Sequence, residues 1–191
     1  MNNLSLVKYV CALIVVANTV NGYSQSEKNH FFEAGIHIVG GGLSFEKNFS
    51  QNFSVRSSVE YDGSFYFSNN VFTNGTKTVF VLQPAIQIQP RYYYNIEKRQ
   101  AKGKNTAYNA ANFFSAHAVY KSSEINMSNK DYYKPEVFSF GAAWNIRRTI
   151  ASSNFVYELS AGFRYDAFTE KFYKSDNGIS PELNAKIGYV F

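Results

Sequence analysis

Ser115 and His117 stand two apart, with Ala116 between them. In an extended segment they share one face. A hydroxyl beside an imidazole is the beginning of a nucleophile–base pair, which acyl transfer would complete with a carboxylate. The other histidines, His30 and His37, show no HExxH-type spacing that would mark a metal site. Gly40-Gly41-Gly42 leads into no helical pattern, so it reads as turn chemistry rather than a phosphate loop. Cys11 is the sole cysteine and lies in an apolar run near the start, which leaves the rest of the chain without thiol or disulfide chemistry. The remaining reactive groups are charges of both signs: Glu33, Glu46, Arg56, Glu60, Asp62, Arg91, Glu158, Arg164, Asp166, Glu182 and Lys186, with Gln87 among them. Buried charges persist when they are paired and hydrogen-bonded. Such a set needs an interior that can enclose it.

The elements that could do so alternate with a period of two. Reading back from the end, Phe191, Tyr189, Ile187, Ala185 and Leu183 are apolar, and Gly188, Lys186, Asn184 and Glu182 lie between them. That is a strand with one apolar and one polar face. Seven further segments behave alike, at about 31–39, 43–49, 53–67, 79–94, 111–121, 135–148 and 155–168. Pro84 and Pro90 fall in the fourth and predict a local bulge or weakened pairing. Polar loops are expected at 68–78, 122–134 and 169–180, tight turns at 50–52 and 150–154, and a basic connection at 95–109.

Composition agrees. The chain has 15 Tyr, 18 Phe and one Trp in 191 residues. Its mean hydropathy of −0.29 resembles that of a soluble protein. A membrane barrel hides in this way, because half of each strand is polar. Residues 10–17 form an apolar run too short to span a bilayer as a helix, which takes about 20 residues. With Lys8 before it, the run matches a cleavable secretory signal peptide over 1–22, cleaved after Gly22 or after Ser24. Residues 23–191 then make one domain. The net charge of +5 comes with no nucleic-acid-binding motif, and none is expected as a partner.

These features predict an all-β fold: an eight-stranded antiparallel up-and-down transmembrane β-barrel with a polar lumen. Eight strands put both ends of the domain on one side, with the short turns, and the longer loops on the other. In an outer membrane the first side is the periplasm. The apolar faces meet lipid, and the charges form a structural lumen network of Glu46, Arg56, Glu60, Asp62, Arg91, Glu158, Arg164, Asp166, Glu182 and Lys186. An eight-strand interior is just wide enough to be filled by side chains, so a gated ion pathway is the lesser reading.

Pro90-Arg91-Tyr92-Tyr93-Tyr94-Asn95, Lys98-Arg99, Gly103-Lys104-Asn105-Thr106 and Asn112-Phe113-Phe114 resemble the small outer-membrane β-barrel proteins of Bacteroidota, in which a basic GKN segment joins two central strands. The layout is similar to the OmpA/OmpX class. The resemblance implies a structural, adhesive or envelope-accessory role without catalysis or cofactor. Tyr189 and Phe191 resemble the signal read by the barrel-assembly machinery. Outer-membrane lipid and lipopolysaccharide are the expected surroundings, with a possible envelope protein partner and a monomeric state. Loops 68–78 and 122–134 are the expected contact surfaces. The basic connection 98–104 reads mainly as a solvated turn, with a contact to anionic lipid head groups as the sharper reading. Two alternatives to the structural role are a narrow channel and a lipid-modifying enzyme of the lipid A deacylase type. In those deacylases the order is His-x-Ser, whereas here it is Ser115-Ala116-His117.

Overall fold

The computed structural model describes residues 29–38, 40–70, 75–123, 125–126, 136–168 and 177–191, with backbone alone at 64–70, 75–81 and 125–126. The signal-peptide segment lies outside the described residues.

The alternating segments pair as one closed sheet. The strands are β1 (His30–His37), β2 (Gly40–Asn48), β3 (Phe53–Asn70), β4 (Gly75–Tyr92), β5 (Asn112–Lys121), the two-residue β6 (Ile125–Asn126), β7 (Val137–Thr149), β8 (Phe155–Phe168) and β9 (Gly178–Val190). Each long strand is antiparallel to the next, and β5 neighbours β7 because β6 only extends the edge of β4. The last strand returns to the first, with Glu33 opposite Val190 and His37 opposite Lys186. The fold is therefore an all-β closed eight-stranded antiparallel barrel, and no long strand is left with a free edge along its whole length.

Several sequence expectations change. Gly40-Gly41-Gly42 is not a turn but the start of β2, paired with β1 and with β3. These glycines are there for clearance: a Cβ on Gly42 would enter the backbone of Val59 and lie 2.6 Å from Cα of Glu60. The expected loop 68–78 loses both its ends to the sheet, because Ser68–Lys77 and Asn70–Gly75 continue the β3–β4 ladder, and residues 71–74 lie outside the described residues. Segment 122–134 contains β6, and its remainder lies largely outside the described residues. Strand β9 starts at Gly178, earlier than the 169–180 loop allowed, and ends at Val190, so Phe191 lies one residue past it. The Phe191 amide still donates to the Phe32 carbonyl at 3.0 Å.

The prolines do weaken pairing. The β4–β5 ladder runs from Ala85 to Ile88, resumes at Arg91 and skips Gln89 and Pro90. Proline has no N–H to give to a neighbour. Beyond Pro84 the register shifts by one, since Leu82 pairs with Ile125 while Ala85 pairs with Lys121. The turns at 49–52 and 150–154 fall where the sequence puts them. Phe49 and Ser50 amides donate to the Phe53 carbonyl, and the Ile150 amide donates to the Phe155 carbonyl.

The 95–109 connection is not a bare turn. It holds α1 (Ile96–Gln100) and a 3-10 turn (Ala107–Asn109). Tyr93, Ile96, Ala111 and Phe113 pack there as a buried apolar cluster. A second cluster, Phe31, Val156 and Val190, packs against Tyr108. Together they close one end of the barrel.

Candidate functional site: a charged lumen plugged at one end

Alternation sends opposite chemistry to the two sides of the wall. Ile36, Leu43, Val59, Phe163 and Leu183 are exposed on the outside, with Leu183 at 79%. Glu33, Glu46, Arg56, Arg91 and Arg147 are buried inside, each at 3% exposure or less. This polarity is the reverse of a water-soluble globule, where apolar groups go inside and charges almost never do unless paired.

The inner charges near the plug form one closed network. Arg91 donates to Glu158 Oε1 and Oε2, both at 3.0 Å, to Glu46 Oε2 at 3.2 Å and to Gln89 Oε1. Arg147 donates to Glu158 Oε2 at 3.0 Å, to Glu33 Oε2 and, through Nε, to the Tyr108 carbonyl at 2.8 Å. Arg56 donates to Glu33 Oε1 at 2.8 Å and to Ser44 Oγ at 2.6 Å. Lys186 completes the group at 3.1 Å from Glu33. Three guanidiniums therefore interleave with three carboxylates in bidentate and bridging contacts, the arrangement that best offsets the loss of hydration. Aromatic faces cover two of them, Phe113 at 4.7 Å from the Arg91 guanidinium and Phe31 at 5.6 Å from that of Arg147.

The plug is tied into this network. Tyr93 Oη and Asn109 Nδ2 both donate to Glu46 Oε1 at 2.6 Å. Tyr108 and Asn109 adopt left-handed backbone conformations, φ 55° and 60°, which turn the Tyr108 carbonyl to Arg147 and the Asn109 amide to Glu46. Tyr108 Oη donates to Asn154 Oδ1 at 2.8 Å, fastening the plug to the β7–β8 turn. Arg99 of the basic segment donates to the carbonyls of Ala110 and Asn105, so it braces the plug rather than standing free in solvent. Tyr93 lies in the plug beyond β4. Burial, reinforced by the Glu46 carboxylate, raises its hydroxyl above the ordinary tyrosine value.

Beyond the network, whose Arg56, Arg91, Glu158 and Lys186 form its floor, the lumen opens into a polar cup of about 570 Å3. The sequence expected a filled interior. The filling occurs only at the plugged end, where aromatics and long arginines crowd together. Of the expected network, Glu46, Arg56, Arg91, Glu158 and Lys186 meet at the plug. Glu60 and Asp62 are in the cup beside His37, and Asp62 also pairs with Lys121. Arg164, Asp166 and Glu182 form a third group, with Arg164 Nε donating to Asp166 Oδ1 at 2.8 Å and His117 Nε2 at 3.2 Å from Glu182. Gln87 also lines the cup. Arg147 was missed by the sequence reading, although it shares the parity of Ser139 and Asn145 on β7. Tyr93 was missed in the same way, as it continues the inward parity of Gln89 and Arg91.

Ser115 and His117 do face inward together, but each is engaged elsewhere. Ser115 Oγ accepts from Asn145 Nδ2 at 2.9 Å and from Gln89 Nε2 at 3.1 Å, while His117 turns to Glu182. Tyr189 and Phe191 lie outside on the wall, edge to face with ring centroids 5.2 Å apart.

Fold and lumen together define a closed eight-stranded barrel with its polarity turned inside out. No family model matches the chain, and no curated protein matches it. Among solved structures it is similar to the crystal structure of the N-terminal beta-barrel domain of Pseudomonas aeruginosa OprF, with 13% identity and a TM-score of 0.45 over 87% of this chain and 100% of that one.

Proposed function

We propose that this chain is an integral outer-membrane β-barrel protein with a structural or interaction role and no catalysis. The observation that carries this reading is the inverted polarity: exposed Ile36, Leu43, Phe163 and Leu183 outside, and a paired Arg–Glu network inside. Apolar side chains at this density would be costly in water and are favourable against lipid. The plugged end, which also carries the short turns at 49–52 and 150–154, would face the periplasm, and the cup would open outward. Tyr93, Asn95, Arg99, Asn112 and Phe113 at the plug are among the residues that carry the resemblance to small Bacteroidota barrels and the OmpA/OmpX class. We assign Tyr189 and Phe191 to contact with the assembly machinery, and lipid and lipopolysaccharide to the apolar wall. A deacylase reading is weakened because Ser115 and His117 are inside the wall with other partners, away from where an acyl chain would lie.

The test is membrane fractionation of cells expressing the full chain, followed by folding of the purified protein in detergent micelles. The expected result is outer-membrane recovery, resistance to carbonate extraction, and heat-dependent migration on electrophoresis. A protein that stays in the soluble fraction and folds without detergent overturns the proposal.

A further inference from the structure

Gly40 and Gly42 remove side chains from the first part of β2, which runs between β1 and β3. A Cβ on Gly40 would lie 2.6 Å from Cε1 and 3.1 Å from Nε2 of His37. The bare stretch lets His37 lean from β1 across β2 toward β3. Register places Asp62 opposite Gly40, and Glu60 opposite Gly42. His37 Nε2 comes within 3.3 Å of Asp62 Oδ1 and 3.7 Å of Glu60 Oε2. That nitrogen is buried and has no hydrogen-bond partner, although two carboxylates face it. The donor atoms of all three residues lie within 4.8 Å of one another.

We propose that His37, Glu60 and Asp62 bind a divalent transition-metal ion, zinc being the best match, on the wall of the open cup. Donors held at 2.0–2.2 Å around a tetrahedral zinc are about 3.4 Å apart. The observed 3.3 and 3.7 Å separations of the imidazole nitrogen from the two carboxylates bracket that value, and all three donors lie within 4.8 Å of one another. One imidazole with two carboxylates is a borderline donor set suited to zinc. Calcium takes six to eight oxygens, and magnesium demands octahedral oxygen geometry, so this set suits neither. Three protein donors leave the fourth position of the ion open to the cavity that all three residues line. Lys121 Nζ holds Asp62 Oδ2, the other carboxylate oxygen from the one near His37. Its charge opposes the incoming cation, so the site is a moderate one that exchanges its ion.

The experiment is calorimetric titration of tag-free, full-length protein in zwitterionic micelles with Zn2+, with barrel closure checked by heat-dependent migration. One ion per chain is expected. His37→Ala abolishes saturable binding. Lys121→Met, which removes the opposing charge and frees the Asp62 carboxylate, tightens it by about tenfold. His117→Ala, at the other imidazole lining the cup, leaves it unchanged. Absence of a saturable site, binding that survives His37→Ala in a closed barrel, or loss of binding in His117→Ala overturns the proposal. If His37→Ala does not close, Lys121→Met decides alone, and unchanged or weaker affinity in that variant overturns it.

Discussion

Glu46 accepts hydrogen bonds from Ser54, Tyr93, Asn109 and Arg91 in a space closed to solvent. Truncating it leaves Arg91 short of one counter-charge and two plug residues without an acceptor. Glu46→Ala is therefore expected to cost about 3–5 kcal/mol, the range for breaking a buried ion pair from one side. Glu60 sits in the wetter cup, 3.7 Å from His37, and Glu60→Ala should cost under about 1 kcal/mol. Urea unfolding of both variants in micelles checks the contrast, and equal losses would mean that the lumen does not divide into a dry and a wet half. Arg147 shows how far parity reaches at this scale. Ser139, Gly141 and Asn145 already define the inner face of β7, so Arg147 was legible by counting on by two. It was obscured by Arg148 and the adjoining turn, which together read as a polar strand end. The His37 cluster was not legible, because it depends on two strands meeting over glycines that resemble a turn when read in isolation.

The plug is the element that periodicity could not supply. Strands announce themselves by alternation, whereas residues 95–109 have none, and their order rests on two left-handed residues and on contacts distant in sequence. The basic stretch reads as solvated because its lysines are exposed, and the one bracing side chain, Arg99, looks the same as they do in the sequence. Two outcomes follow for this element. Replacing residues 96–109 with a short Gly-Ser linker removes the ties of Tyr108 and Asn109 to Asn154, Arg147 and Glu46, and it should lower the urea midpoint of the barrel in micelles. The raised titration of Tyr93 sets a pH limit. The unfolded chain ionises near the usual tyrosine value of about 10 while the folded one keeps its proton, so this contribution is complete below pH 10 and declines above it. Tyr93→Phe cannot ionise, so it should remove that part of the alkaline loss seen on unfolding the barrel between pH 9 and pH 11.

At the scale of the whole molecule, strand count, face assignment and the tight turns after Asn48 and Thr149 were legible, whereas the Gly40-Gly41-Gly42 turn was misplaced, because closure and alternation are global constraints that a single sequence records repeatedly. Leu43 and Val59 pair on the outer wall near mid-strand and are strongly exposed. Leu43→Arg should cost about 2–4 kcal/mol in bilayers, the penalty for a cation at the midplane of a barrel. Unfolding titrations in lipid vesicles measure it, and no loss there would be incompatible with a lipid-facing wall. The interleaved Arg–Glu network has a consequence for how the sheet finds its alignment. The β1–β2 hairpin brings Glu33 and Glu46 to it, the β3–β4 hairpin brings Arg56 and Arg91, and the β7–β8 hairpin brings one charge of each sign, Arg147 and Glu158. A slip of one residue between neighbouring strands would turn a whole row of these groups outward onto the apolar wall. The paired interior thus works as a proofreader of register: a misaligned intermediate carries a penalty at each of the six strands that bring a charge to it.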